Sequence, residues 1–175
     1  AVGFYNEDPE TGKIVRTDQF ELDVDGELTI VEAAAGKARP ALILVNDDDL
    51  TYTKLRFDEK SLKFAAENLY RFDDALARSV IWLAFWDMTR DGELPAKQFI
   101  ETSLAALATE HESTTFRYAL AQVSTTAWHY TAPADRAEVV EHVAAELFKL
   151  AQSAEAGSDE QFQLITAYLG YGEPG

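Results

Sequence analysis

The sequence contains no cysteine. A disulfide framework, a thiol nucleophile and a thiolate metal site are therefore excluded. The absence of cysteine suits the reducing cytosol, and we expect a cytoplasmic protein. No apolar stretch approaches the ~18 residues that a membrane-spanning helix needs, and no signal peptide is recognisable. We therefore expect no membrane partner.

Basic residues are also scarce, because 15 Lys and Arg stand against 31 Asp and Glu, which gives a net charge of −16. Nucleic-acid binding needs a basic face to neutralise phosphates, so we expect no nucleic-acid partner. A cationic partner would be attracted, but the main effect of such a surface is to keep a protein soluble. Hydrophobic residues make up 47% of the 175 residues, enough for the core of one full domain or two small ones.

The first third of the sequence has the alternation of short β-strands. Strands are predicted at residues 1–5, 13–17, 19–24, 28–31, 41–45 and 50–57. Asp25-Gly26 is typical of a two-residue hairpin turn. The three acids of Asn46–Asp49 could coordinate a cation, but turn-forming residues in a row are explained by an exposed turn without any ligand. These patterns predict a small antiparallel sheet that forms part of a β-sandwich.

One stretch of this region nearly matches a calcium-binding loop. Glu21–Glu32 places acids at the first, third and fifth positions, Gly at the sixth and Glu at the twelfth. The first position should be Asp, and a true loop has a helix on each side. Here the flanking residues alternate with period two, as strands do. We therefore interpret the stretch as a hairpin, with a calcium site as the alternative.

From Asp58 onward the apolar spacing predicts six amphipathic helices. Asp58 is the expected N-cap of the first helix, which runs to about Phe72, and Asp73 or Asp74 caps the second. The second helix is expected to reach Asp91, with Gly92 after it. The predicted boundaries of the later helices are Pro95 for the third, Ser113 for the fourth, Pro133 and Gly157 for the fifth, and the capping box Ser158–Gln161 for the sixth.

Residues 80–86 of the second helix are apolar around the whole circumference, as in a helix that is buried on several sides. Asp87 follows this run directly. Because a buried carboxylate needs a partner, we predict an interhelical ion pair with Arg117 of the fourth helix, in preference to a catalytic acid.

The first, third and fifth helices are expected to begin near residues 58, 95 and 133. Intervals of 37 and 38 residues are typical of stacked helix pairs of the armadillo or HEAT kind. Such stacks need a polar cap, and none follows Leu169; the start of the chain likewise lies within a strand pattern. We therefore expect a cut at both ends. The predicted fold is α+β, mainly α, with a partial β-sandwich domain at 1–57 and a helical domain at 58–175 that is incomplete at its C-terminal end.

No zinc motif is complete in the sequence. His111 begins H-E-x-x-H, but residue 115 is Thr, and His142 ends H-x-x-E-H, but residue 138 is Glu. His142 and Glu146 share a helix face and are interpreted as an ordinary surface pair. His129, between two aromatic residues on an amphipathic helix, is expected to be a packed structural histidine.

Ser113, Ser124 and Thr125 have no base at motif spacing, and neither a G-x-S-x-G nor a phosphate-binding loop is present. The sequence therefore predicts no catalytic, cofactor-binding or metal-ligating residue in this chain.

Three segments carry a family resemblance. In chain order they read FELDVDGELTIVE, LVNDDDLTYTKLRFDEKSL and DDALARSVIWLAFWDMTRDGELPAKQF. The sequence resembles the C-terminal part of bacterial aminopeptidase N, a family of zinc-dependent gluzincin aminopeptidases, over nearly its whole length. NDDDLTYTKLRFDE and WDMTRDGELPA are its most specific parts.

The resemblance implies a parent enzyme that removes N-terminal residues from peptides. Its catalytic domain would carry H-E-x-x-H with a downstream Glu ligand, and a G-x-M-E-N segment that holds the substrate's amino group. A β-sandwich and a helical domain would follow, the latter closing over the catalytic domain and bounding the substrate chamber.

None of those catalytic or zinc residues lies in this chain. The resemblance therefore implies a non-catalytic fragment, the end of the β-sandwich plus about half of the helical domain, with zinc in the parent only. Its partners would be the parent's catalytic domain and the peptide substrate. The alternative is a free-standing helical-repeat module that binds a peptide or protein, which would explain the acidic surface but not the incomplete sheet.

Overall fold

A computed structural model describes residues 1–172, which form three β-strands and six α-helices. The strands are β1 (Val2–Glu7), β2 (Ile14–Phe20) and β3 (Leu42–Val45). The helices are α1 (Glu59–Asn68), α2 (Ala75–Arg90), α3 (Ala96–Leu107), α4 (Ser113–Thr125), α5 (Arg136–Ser153) and α6 (Asp159–Leu169). This content confirms the predicted α+β chain that is mainly helical. The end of the predicted helical domain, residues 173–175, lies outside the described part.

Shorter helical turns occur between these elements. They are 3-10 turns at Glu32–Ala34, Asp47–Asp49 and Leu69–Arg71, and a π-helical turn at Thr126–Tyr130. The residues group into two compact units, Ala1–Ala84 and the part from Phe85 onward, so the division falls within α2. The division into domains at 1–57 and 58–175 stays a prediction from the sequence.

In the first unit the three strands form an antiparallel sheet in the order β2-β1-β3. Val2 pairs with Phe20 and with Val45, and the β1–β2 register shifts between Phe4 and Tyr5. Alternate side chains point into the core because successive residues of a strand face opposite ways. The buried strand residues are Gly3, Tyr5, Ile14, Phe20, Leu42 and Leu44.

The predicted hairpin at Asp25-Gly26 is wrong, since residues 21–31 form no strand. Asp25 N instead donates a hydrogen bond to Thr29 Oγ1 at 3.0 Å within a local turn. Val24 is 80% and Leu28 81% exposed, so their alternating apolar side chains have no core to bury against. Alternation alone does not stabilise a strand that lacks a hydrogen-bonded neighbour.

The strand predicted at 50–57 is also wrong. Only Leu55 of its apolar residues is buried, whereas Leu50 is 74% exposed and Tyr52 is fully exposed.

The flanks of the calcium-loop candidate Glu21–Glu32 are β2 and a 3-10 turn, rather than the two helices that such a loop requires.

The loop between β1 and β2 is hydrogen-bonded to the segment that follows α1. Arg71 Nε and Nη2 donate hydrogen bonds to Gly12 O at 2.9 and 2.6 Å, and Asp73 N donates to Ile14 O at 3.1 Å. The rings of Tyr5 and Phe72 lie 5.6 Å apart beneath the sheet. Ile43 N of β3 also donates to Ser61 Oγ of α1 at 3.1 Å, so the sheet packs against α1 and the segment that follows it.

Local capping residues start the first two helices as the sequence predicts. Asp58 accepts hydrogen bonds from the backbone of Lys60 and Ser61 at the start of α1. Asp74, rather than Asp73, caps α2, because its Oδ1 accepts from Leu76 N at 2.8 Å and from Ala77 N at 3.2 Å. A side-chain acceptor in this place satisfies backbone donors that have no partner within the helix.

The starts of the later helices differ in detail. Glu112, not Ser113, caps α4, accepting from Thr115 N at 2.6 Å. Ser158 caps α6 as predicted, but the side chain of Gln161 accepts from Gly157 N instead of closing the capping box on Ser158. Pro133 lies three residues before α5, and α5 ends at Ser153, four residues before Gly157.

The apolar run of α2 is buried over most of its circumference, as predicted. Of residues 80–86, only Leu83 is exposed, at 52%, and Trp86 is half-buried. In the second unit α3 packs against α4 and α5, and α6 packs against α4 and α5. Phe99, Phe116 and Leu147 are among the core residues here. The armadillo- or HEAT-like stacking remains a prediction.

Candidate functional site

Asp47 is the buried member of the acidic turn, with 1% of its surface exposed. Tyr5 Oη donates a hydrogen bond to its Oδ1 at 2.8 Å, and Arg16 Nη1 donates to its Oδ2 at 2.9 Å. Its backbone N donates to Ala1 O at 3.1 Å. The prediction of an exposed turn is thus wrong for this residue. Its burial is possible because the two side-chain donors compensate the carboxylate for the loss of water.

The neighbouring Asp48 shares the same arginine. Arg16 Nη1 donates to Asp48 Oδ1 at 2.7 Å, and Gln19 Nε2 donates to its other oxygen. The hydrogen bonds from Arg16 and Gln19 lower the pKa of Asp48, while burial and the bond to Asp47 raise the pKa of Tyr5. The guanidinium therefore occupies the position between the two carboxylates that a bound cation would take.

The backbone of this turn is left-handed at three residues, with φ of 53°, 70° and 53° at Asn46, Asp48 and Asp49. Asn and Asp adopt this region more readily than other residues that carry a side chain. The sequence signal for the turn was therefore correct. The signal for its partners was absent, because Tyr5 and Arg16 lie 42 and 31 residues earlier in the chain.

The three histidines do not converge. His142 Nε2 lies 3.0 Å from Glu101 Oε1, so its partner is on α3 and not the predicted Glu146. His111 Nδ1 lies 3.3 Å from Glu160 Oε1 at an exposed position. His129 is exposed within the π-helical turn, which corrects the prediction of a packed structural histidine.

The predicted ion pair between Asp87 and Arg117 is not formed. Asp87 is half-buried and lies 3.8 Å from Nη1 of Arg90, one turn further along α2. Arg117 is exposed and lies over the ring of Tyr118, 5.4 Å from its centroid. Asp87 thus pairs with Arg90 of its own helix and not with Arg117 of α4.

An open, groove-like cavity of about 610 Å³ lies beside the π-helical turn in the second unit. Trp128 and Tyr171 stack with ring centroids 6.1 Å apart and border it. Arg136 and Glu141 of α5 also line it. Arg136 Nη2 donates a hydrogen bond to Thr131 O at 3.3 Å, whereas its Nε is buried without an acceptor among residues 1–172.

Comparison with known proteins shows the family to which the chain belongs. Residues 42–174 match the family described as the ERAP1-like C-terminal domain. The chain belongs to this family. It is also 40% identical over 168 residues to Aminopeptidase N of Streptomyces lividans, an alignment that covers 96% of this chain and 20% of the relative. The predicted resemblance to the C-terminal region of aminopeptidase N is confirmed.

The chain spans about a fifth of the length of that relative. Among residues 1–172, no three or more His, Asp or Glu side chains are arranged to hold a metal ion. Within the same described range, each helix is too short or too polar to cross a membrane. The candidate sites described above are thus the hydrogen-bonded network around Asp47, the histidine–glutamate pairs and the cavity beside Trp128.

Proposed function

We propose that this chain is a non-catalytic C-terminal part of a zinc-dependent aminopeptidase that removes N-terminal residues from peptides. The observation that carries the proposal is the 40% identity to Aminopeptidase N over 96% of the chain. The zinc and the catalytic groups would belong to the parent's catalytic domain, which would be this chain's native partner. The alternative of a free-standing binding module gains no comparable support.

The β-region would be the end of a β-sandwich that other strands of the parent complete. Support comes from the apolar residues that the sheet leaves exposed, of which Val24, Leu28 and Leu50 are each at least 74% exposed. A cavity of about 600 Å³ lies among Val2, Leu22, Val24, Val45 and Leu55, beside the paired residues Val2 and Val45 of β1 and β3. Exposed apolar side chains around such a cavity are a typical place for another part of the parent to pack.

The helical part would cover the parent's active site and bound the chamber that admits the peptide. The packing of α3 to α6 on one another supports a stacked arrangement of the armadillo or HEAT kind, which forms extended surfaces of this type. This role needs no catalytic residue in the chain. It requires a surface that borders the chamber and a contact with the catalytic domain.

The first test is to sequence the open reading frame upstream of the codon for Ala1. An H-E-x-x-H motif, a Glu some twenty residues on and a G-x-M-E-N segment would support the proposal. A start codon directly before Ala1 would contradict it.

The second test compares the full-length enzyme with a version that lacks the region from residue 58 onward. Both are assayed on an amino-acid anilide, a tripeptide and a long peptide. We expect the chamber wall to affect the peptides more than the anilide, so removal should change their relative kcat/KM. An unchanged ratio, with the catalytic domain folded, would contradict the covering role.

A further inference from the structure

We propose that the cavity beside Trp128 binds a free α-amino acid with an apolar or aromatic side chain. The inference does not depend on the proposed function, since the residues that carry it are Tyr171 and residues between 128 and 144 of this chain. The cavity's volume of about 610 Å³ falls within the range of roughly 300–1,000 Å³ that small-molecule sites occupy.

The cavity is bordered by two opposite charges that do not neutralise each other. Arg136 and Glu141 both line it, and within residues 1–172 neither forms an ion pair. Arg136 thus has no carboxylate partner in the described part of the chain, although acidic side chains outnumber basic ones two to one in the sequence. Arg136 uses one N–H for Thr131 O and retains donors that can serve a ligand.

The two charges suit a zwitterion. The guanidinium would bind the ligand's carboxylate, for which its planar pair of N–H donors is well matched. Glu141 would accept from the ammonium group. A ligand with only one charge would leave the other side chain unpaired, so the pair selects for a molecule that carries both.

The remaining wall is apolar and suits a side chain. Trp128 and Tyr171 supply stacked aromatic faces, and Pro133, Val140 and Ala144 supply aliphatic surface. The π-helical turn at Thr126–Tyr130 places Trp128 here, and such turns recur at functional sites. An aromatic or branched aliphatic side chain would bury its surface against this wall, whereas glycine would gain nothing from it.

The test is isothermal titration calorimetry of the 175-residue chain with L-phenylalanine and three analogues that each lack one feature. Phenethylamine lacks the carboxylate, 3-phenylpropanoate lacks the ammonium group and glycine lacks the ring. We expect L-phenylalanine to bind roughly ten-fold or more tightly than each analogue, since one charge-assisted hydrogen bond, or burial of the ring in the case of glycine, has about this effect.

Two substitutions assign the charges. Arg136→Gln should abolish the preference for L-phenylalanine over phenethylamine, and Glu141→Gln should abolish the preference over 3-phenylpropanoate. Arg117→Gln, at an exposed position of α4, and Glu138→Gln on α5 are matched controls that should leave all affinities unchanged. Circular dichroism spectra would confirm that each variant is folded.

Three results would overturn the proposal. The first is no heat of binding for L-phenylalanine at millimolar concentration. The second is equal affinity for L-phenylalanine and its singly charged analogues, which would mean an unselective apolar groove. The third is loss of binding in a control variant together with retention in Arg136→Gln, which would place the ligand elsewhere.

Discussion

Tyr5 lies directly opposite Arg16 in the β1–β2 ladder, and both side chains donate hydrogen bonds to the carboxylate of Asp47. The cross-strand pair therefore holds the turn that follows β3. A slip of one residue in the register would move one of the two donors to the other face of the sheet. The buried carboxylate thus requires the observed pairing of strands.

Replacement of Arg16 by Gln should destabilise the first unit. The change leaves the buried carboxylate of Asp47 with Tyr5 but without its cation, and we expect a loss of about 2–4 kcal/mol in the free energy of unfolding. Urea denaturation followed by circular dichroism measures it. Lys13→Gln is the control, because Lys13 pairs with Asp73 on the surface and should cost at most about 1 kcal/mol. Equal losses in the two variants would contradict the assignment.

Replacement of Gly3 by Ala should destabilise the same region by a steric route. An added Cβ would lie 2.7 Å from Asp47 Cγ and 2.8 Å from Tyr5 Cε2, which is closer than van der Waals contact. We expect a loss of about 1–3 kcal/mol and a lower melting temperature. Gly172→Ala, where the nearest atom is 3.5 Å away, should leave the melting temperature nearly unchanged. A stable Gly3→Ala chain would show that Asp47 can move.

Asp58 should make stability depend on pH. Burial raises the pKa of Asp58, but hydrogen bonds from Ser61 and the charge of Arg39 outweigh it and lower the pKa below 3.8. The carboxylate therefore stabilises the folded chain above that value, and the contribution is lost as the pH falls through the folded pKa. Asp58→Ala should cost about 1 kcal/mol at pH 7.

The difference between this variant and the unsubstituted chain should narrow in acid. Denaturation curves at neutral pH and at about pH 3 measure it, since the unfolded carboxylate titrates near 3.8. Ser158→Ala removes a cap that does not titrate, so its cost should stay constant over the same range. A constant cost for Asp58→Ala as well would show that the charge plays no part.

Phe99 should be the critical core residue of α3. It is fully buried, and its ring centroid lies 5.7 Å from that of Trp86. Phe99→Ala would leave a cavity that the neighbours fill only in part, at a cost of about 3–5 kcal/mol. Phe162→Ala on α6, where the ring is 69% exposed, should change stability by about 0.5 kcal/mol or less. Thermal melts of the two variants provide the comparison.

The sequence predicted the helices better than the sheet, and particular residues show why. Asp58 caps α1 with backbone donors two and three residues away, so its role is contained in one short window. Residues 21–31 have an equally regular pattern, but a strand exists only where another strand pairs with it, and short-range alternation does not encode that partner. The expected hairpin therefore failed although its turn glycine has the positive φ of 66°.

The candidate sites divide in the same way. The local pattern identified Asp47 as part of a turn, but its donors Tyr5 and Arg16 come from strands far away in sequence. The prediction for Asp87 was wrong for the opposite reason, because its partner Arg90 lies only three positions further along the same helix. The cavity beside Trp128 combines residues of three segments, and the pattern of each segment shows only an ordinary amphipathic helix or loop.

The central position of β1 has a consequence for the order of folding. β2 follows β1 after a six-residue loop, whereas β3 arrives more than twenty residues after β2 ends. Closing a longer loop costs more entropy and slows the contact. We expect β1 and β2 to associate before the rate-limiting step and β3 to dock late. Ile14→Val should then slow refolding, whereas Leu44→Ala should chiefly accelerate unfolding, as stopped-flow kinetics would reveal.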